Sequence, residues 1–252
     1  MTVNPSALVP SKKIAFTLAE VLITLGIVGV VAAMTLPALI QKQQKMQLLT
    51  HAKVVYNILN NAIESAKVEY GTNIEQWELL PAGTNLDKSM FFFEKYLQPH
   101  LKVIEYCKTS QETPACRHSI GMMDYNGSDF ASFVPQTNFG TTFVLSNSAI
   151  INIQVGNING SSLDRIRILY DVNGIKKPNF MGKDVFIIEL GGGQWGGDKN
   201  RFLPYGYSRN RECSYYKSGF QSDLTCTQNS GRGTYLAYLL CNGWSIPDDY
   251  PW

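Results

Sequence analysis

The chain has 252 residues, 44% hydrophobic and 17% charged, enough for one globular domain beside one apolar segment and too few for several domains. Its formal charge is +2, and Lys12 and Lys13 supply the excess, because residues 1–15 contain no acid and the remainder sums to zero. A global basic field drawing the chain to nucleic acid is therefore excluded.

Behind Lys12 and Lys13 runs an apolar stretch that reaches Ile40 and contains a single charge, Glu20. It is longer than the core of a secretory signal peptide, about 7 to 15 residues, and about 20 such residues cross a bilayer as helix. The two lysines predict a cytoplasmic N-terminus and an exported remainder. A passive signal anchor explains the apolarity but not Glu20, since an ionised carboxylate in hydrocarbon costs about 3 kcal/mol even on lenient insertion scales.

Residues Lys12-Lys13-Ile14-Ala15-Phe16-Thr17-Leu18-Ala19-Glu20-Val21-Leu22-Ile23-Thr24-Leu25 strongly resemble the class III leader of type IV pilins and type II secretion pseudopilins. The resemblance implies removal of residues 1–15 by a membrane-embedded prepilin peptidase, which cuts after Ala15 and N-methylates the new terminal Phe16. The family usually has Gly at the position of Ala15, a departure expected to slow processing rather than block it. The resemblance also implies that Glu20 meets the N-terminal amine of a neighbouring subunit during assembly, and two buried charges are tolerable as a hydrogen-bonded pair where each alone is costly. Pro37 matches a family habit of a proline late in the apolar half, where it removes a backbone donor and allows a kink; the plain alternative is a helix end at the membrane surface.

Beyond Pro37, apolar residues recur at Leu48, Ala52, Val55, Leu59, Ala62 or Ile63, Ala66 and Tyr70, the spacing of one buried helical face, with Gly71 as a stop. One helix from Phe16 to about Tyr70 is expected. A second helix is expected over 85–98, with Asn85 as cap, Leu86, Met90, Phe93 and Leu97 on one side and Pro99 ending it. Strand-like runs follow at 142–145, 149–155, 165–170 and 184–190, which predicts an antiparallel sheet of about four strands against the long helix. After Leu190 the composition turns to Gly, Tyr, Asn and Ser with three cysteines, ending in a short helical run over 235–240. This stretch reads as a cysteine-stapled surface subdomain whose last residues, 243–252, pack back on the domain.

The five cysteines, Cys107, Cys116, Cys213, Cys226 and Cys241, fall in the exported part, where disulfides persist. Cys107 with Cys116 is the first expected pairing, closing a short loop that contains Pro114; the pairing of Cys213, Cys226 and Cys241 stays open, and an odd count leaves a thiol over. Cys107, Cys116 and His118 as zinc ligands lack an evident fourth. Asp171, Asn173 and Asp184, around Asp171-Val172-Asn173-Gly174, offer the oxygen ligands that calcium prefers, although Asn-Gly between strands is also a strong turn signal without any metal. A similar run spans Asp124 to Asp129. Major pseudopilins bind calcium near their C-terminal end, but the loop of that family is not evident here. Gly191, Gly193 and Gly196 have dinucleotide spacing yet open no helix, so a pyrophosphate would lack its dipole. No hydrolase elbow, zinc-protease pair or phosphate loop is present, and His51, His100 and His118 are scattered, so no enzyme is expected. Trp195, Tyr205, Tyr207, Tyr215, Tyr216, Phe220 and Tyr235, interleaved with Arg201, Arg209, Arg211, Lys217 and Arg232, suit a ligand surface or, more plainly, a small braced core.

The expectation is therefore an α+β, pilin-like chain: 1–15 leader, 16–40 membrane and assembly helix, 41–190 globular domain, 191–252 C-terminal subdomain. The resemblance implies a pseudopilin or minor pilin of a type IV pilus or type II secretion filament, single-pass in the cytoplasmic (inner) membrane with its C-terminal domain periplasmic or extracellular. Its partners would be other pilin subunits, the prepilin peptidase and the inner-membrane assembly platform. The alternative is a pilus-tip adhesin or DNA-uptake subunit. No cofactor is required, calcium being the candidate.

Overall fold

The computed structural model describes residues 17–78, 83–107, 120–123, 129–133, 140–156, 165–176, 179–190, 200–218 and 234–250. The chain divides into two compact units, Met1–Gln44 and Lys45–Trp252. Helix α1, Leu18–Tyr70, has 53 residues and contains Pro37 in its interior, so the reading of Pro37 as a helix end is corrected. A proline there forfeits one ladder bond, which a helix can carry across when the surrounding turns stay bonded.

In the first unit α1 is long and apolar enough to cross a membrane, by length and composition. Its apolar side chains are exposed, Leu18 at 81% and Met34 at 76%. The hydroxyls of the span bond within the helix: Thr24 Oγ1 donates to the carbonyls of Glu20 and Val21, each at 2.9 Å, and Thr35 Oγ1 to that of Val31 at 3.0 Å. Internal satisfaction of this kind is what a hydrocarbon surrounding demands.

In the second unit α1 buries one face through Leu49, Ala52, Val55, Tyr56, Leu59, Ala62, Ile63 and Ala66. The face starts at Leu49, whereas the expected Leu48 is half-buried and Tyr70 is 39% exposed. Tyr70 instead sets its ring edge-on to Tyr96 and Trp77. Helix α2, Asn85–Phe92, is capped by Thr84 rather than Asn85: Thr84 and Asp87 form a reciprocal capping box. A π turn over Phe93–Leu97 and a 3-10 turn over Gln98–His100 carry the coil past the α-helix end. The π turn rotates Phe93, Tyr96 and Leu97 into the core while Leu86 and Met90 stay half-buried, which a regular period does not foresee.

Among the described residues eight strands follow: β1 Val103–Cys107, β2 Ile120–Met123, β3 Asp129–Phe133, β4 Thr141–Leu145, β5 Ile150–Gly156, β6 Arg165–Asp171, β7 Val185–Leu190 and β8 Leu203–Pro204. Six make one sheet in the order β1-β4-β5-β6-β7-β8, and β2 pairs β3 separately, every pairing being antiparallel. The expected strands are β4 to β7, within a residue or two at each end; the edges β1 and β8 were missed. Across β5, β6 and β7, Ile151, Tyr170 and Phe186 stand in register, and the Tyr170 hydroxyl donates to the Ala52 carbonyl at 3.4 Å. The opposite face sets Gln154, Arg167 and Glu189 in register, with Arg167 Nε on Glu189 Oε1 at 2.9 Å. Leu169 and Ile187 on that face are also buried, so the sheet is covered on both sides, as its nearly continuous apolar runs suit.

Helices α3, Cys213–Ser218, and α4, Tyr235–Cys241, are joined by the Cys213–Cys241 disulfide. Phe202, Tyr205, Tyr216 and Tyr235 to Leu239 belong to the same core as α1 and the sheet. The described residues after Leu190 are thus stapled, and Phe202, Tyr205, Tyr216 and Tyr235 to Leu239 complete the main core. Gly243 and Trp244 close α4 by bonding back to Leu240 and Leu239 with positive φ. Trp244 then lies 5.4 Å from the Tyr56 ring of α1, so this end packs back as expected; Pro251 and Trp252 lie outside the described residues.

Candidate functional site

At the start of α1, Glu20 is the third helical residue and Thr17 the residue before the helix. The Thr17 backbone N–H and hydroxyl both donate to Glu20 Oε2 at 2.8 Å, and Thr17 Oγ1 accepts the Glu20 N–H at 3.2 Å. This is a second capping box, and it gives the acidic residue an intrachain partner that the sequence reading had left without one. The signal was present, Thr-x-x-Glu ahead of an apolar run. Ala15 and Phe16 lie outside the described residues.

The second place is the turn between β6 and β7, where all three residues offered for calcium come together. Asp171 Oδ1 accepts the N–H groups of Asn173 and Gly174 at 3.0 and 3.1 Å. Asp184 Oδ1 accepts the Phe180 N–H at 2.6 Å, and its Oδ2 accepts Asn173 Nδ2 at 3.1 Å. Asn173 Oδ1 is buried and takes no hydrogen bond among the described residues. Asp171 is wholly buried and Asp184 nearly so. Burial, then the charge of Asp184, raises Asp171 to about 8, against the pull of its turn bonds; burial raises Asp184 to about 7. Lys183 alongside is pushed down by burial and lies 4.9 Å over the Phe180 ring.

Elements distant in sequence hold this turn. Gly174, with φ +72°, passes so close to β4–β5 that a Cβ would sit 2.6 Å from the Ser148 carbonyl oxygen. Gly182, with φ +84°, lies against the Tyr235 ring of α4, and the Tyr250 hydroxyl donates to its carbonyl. The oxygens match a hard cation in kind, but calcium takes about six to eight and these side chains supply only part of that. Among the described residues no three His, Cys, Asp or Glu gather in a metal-holding group. The run at 124–128 and His118 lie outside the described residues.

Cys213 pairs with Cys241. Cys107 is also disulfide-bonded, which leaves Cys116 or Cys226 as its partner, both outside the described residues. The aromatic tail is mostly interior: Tyr205, Tyr216 and Tyr235 are buried, Tyr207 stacks on Tyr216 at 5.8 Å, and the Tyr216 hydroxyl bonds both the N–H and the carbonyl of Ser208. Arg209 and Arg211 are exposed, Arg211 over the Tyr215 ring at 4.5 Å. Lys217 pairs with Asp249. Trp195, Phe220, Arg232, Gly191, Gly193 and Gly196 lie outside the described residues.

No curated protein and no solved structure matches the chain. The model of a family of unknown function, DUF6613, matches residues 38–252, the greater part of the chain; the match begins beyond Glu20. The chain belongs to this family of unknown function, DUF6613.

Proposed function

We propose that the chain is a structural subunit, a pseudopilin or minor pilin, of a type IV pilus or type II secretion filament, made as a precursor in the cytoplasmic membrane and assembled through α1. The observation that carries the reading is the lone carboxylate of Glu20 in the first turn of a helix whose next residues, to Ile40, are uncharged. A plain anchor uses it only to cap the helix with Thr17, whereas a helix that must find a cationic partner in a low-dielectric surrounding uses its charge as well. The leader resemblance at residues 12–25 and the packing of the second half of α1 on an antiparallel sheet support the same reading. Neighbouring subunits, the prepilin peptidase and the inner-membrane platform are the partners it calls for, with the globular unit periplasmic or extracellular.

Glu20→Ala tests it. Processing after Ala15 is expected to continue while incorporation into sheared filaments falls at least about tenfold, because an unpaired buried charge on the neighbour is left behind. Filaments of the variant at wild-type yield would contradict the proposal. No cofactor is required by this role. A hard cation at Asp171, Asn173 and Asp184 is a separate proposal, supported by the buried, unbonded Asn173 Oδ1.

A further inference from the structure

We infer that the turn between β6 and β7, together with Lys45 of α1, is a docking surface that rests on the anionic phospholipid headgroups of the bilayer crossed by α1. The inference needs only that α1 spans a membrane, and it stands whether or not the chain enters a filament. Charge is segregated along the sequence: residues 41–52 carry Lys42 and Lys45, residues 172–183 carry Lys176, Lys177 and Lys183, and neither stretch holds an Asp or Glu. After Glu20 the next acid on α1 is Glu64. A chain without a global basic field thus concentrates its cations in two places.

The fold brings these two places together. The Tyr170 hydroxyl bonds the Ala52 carbonyl, so β6 runs out at Asp171 alongside the part of α1 that follows Lys45. Burial pushes the Lys183 amine down and the charge of Lys45 adds to it, against the pull of Asp184, which puts the two amines within electrostatic reach of each other. Asp171 and Asp184 are buried, with both carboxyls bonded to N–H groups of the turn itself. The exposed part of the turn is Ile175, at 56%, beside the exposed Lys176. The neighbouring turn that Gly174 touches, Ser146-Asn147-Ser148, is uncharged.

Reach and charge name the occupant. The uncharged run of α1 ends at Ile40, five residues before Lys45. As helix that is about 7.5 Å, and no arrangement of the two units can make it more than about 18 Å. The headgroup layer on each side of the hydrocarbon is about 5 to 8 Å deep. Lys45 therefore falls at or just above the phosphates, and the turn beside it lies within reach of the same layer. A lysine close to an anionic surface shifts the balance toward contact by about fivefold, and an exposed isoleucine next to it adds apolar area that the interface accepts.

The test places the full chain, with 13C-methyl isoleucine, in lipid nanodiscs that carry a gadolinium chelate on a small share of the headgroups; Ile175→Val assigns the Ile175 methyl by its loss. Broadening of that methyl is expected to be at least about twofold greater in discs containing phosphatidylglycerol than in discs of phosphatidylcholine alone. It is expected to fall to the phosphatidylcholine level in 1 M salt, where the screening length is about 3 Å, and in Lys45→Gln, Lys176→Gln and Lys183→Gln combined. Lys45→Arg, Lys176→Arg and Lys183→Arg combined are expected to match wild type. Equal broadening in the two discs, or an enhancement that survives 1 M salt, overturns the inference. Because the salt comparison uses the wild-type chain, a glutamine variant that fails to fold does not rescue it. Inorganic phosphate is expected to act no more strongly than chloride at matched ionic strength; a selective loss with phosphate would mean a phosphate site in place of a lipid surface and overturns it too.

Discussion

Burial of Asp171 and Asp184 gives the protein a pH dependence whose sign is fixed. Each carboxyl holds its proton more tightly folded, at about 8 and about 7, than at the ordinary value of 3.8. Between about pH 4 and pH 8 the folded chain therefore binds more protons than the unfolded one, and stability falls as pH rises through that window. Tm of the full chain in chelator is expected to be several degrees lower at pH 8 than at pH 5, and Asp184→Asn should flatten the slope. A Tm that rises between those values would contradict the burial. Calcium at pH 8 separates the two readings of the turn: a bound cation raises Tm, and equal melting with calcium or chelator leaves the hydrogen-bonded turn. The residue types were legible in the sequence, as an Asp-x-Asn-Gly turn with a second Asp behind it. Their burial was not, because it is imposed by Ser148, Tyr235 and Tyr250, which no local spacing connects to Asp171. Thr17 shows the reverse: its capping signal stood in the sequence and was overlooked beside Glu20.

Strands β4 to β7 were legible because β-branched runs between Asn, Ser and Gly turns leave little choice of register. The edges were not. β8 is only Leu203–Pro204, too short for a pattern, and Pro there blunts the sheet margin. β1 breaks its register between Val103 and Glu105, which spoils the alternation that would have revealed it. Helix α4 was seen, but its place was not. Its Tyr235 ring lies against the β6–β7 turn so closely that a Cβ on Gly182 would come within 2.4 Å of it. Gly182→Ala meets both that ring and a φ of +84°, and is expected to destabilise the full chain by about 2 kcal/mol in denaturant. An unchanged midpoint would mean that the turn and α4 are not locked as described.

One chain here carries two kinds of surface. Among its described residues Lys45–Trp252 buries a core built from the second half of α1, both faces of the sheet and the C-terminal helices. Residues 18–44 expose apolar side chains along a helix that is long and apolar enough to cross a membrane. The order of these events is what the filament account specifies: membrane first, removal of residues 1–15 next, assembly last. Intact mass and N-terminal sequencing of the protein recovered from its native membrane test that order most directly. The account predicts a chain that begins at N-methylated Phe16; a chain that retains residues 1–15 would contradict it and return α1 to a plain signal anchor.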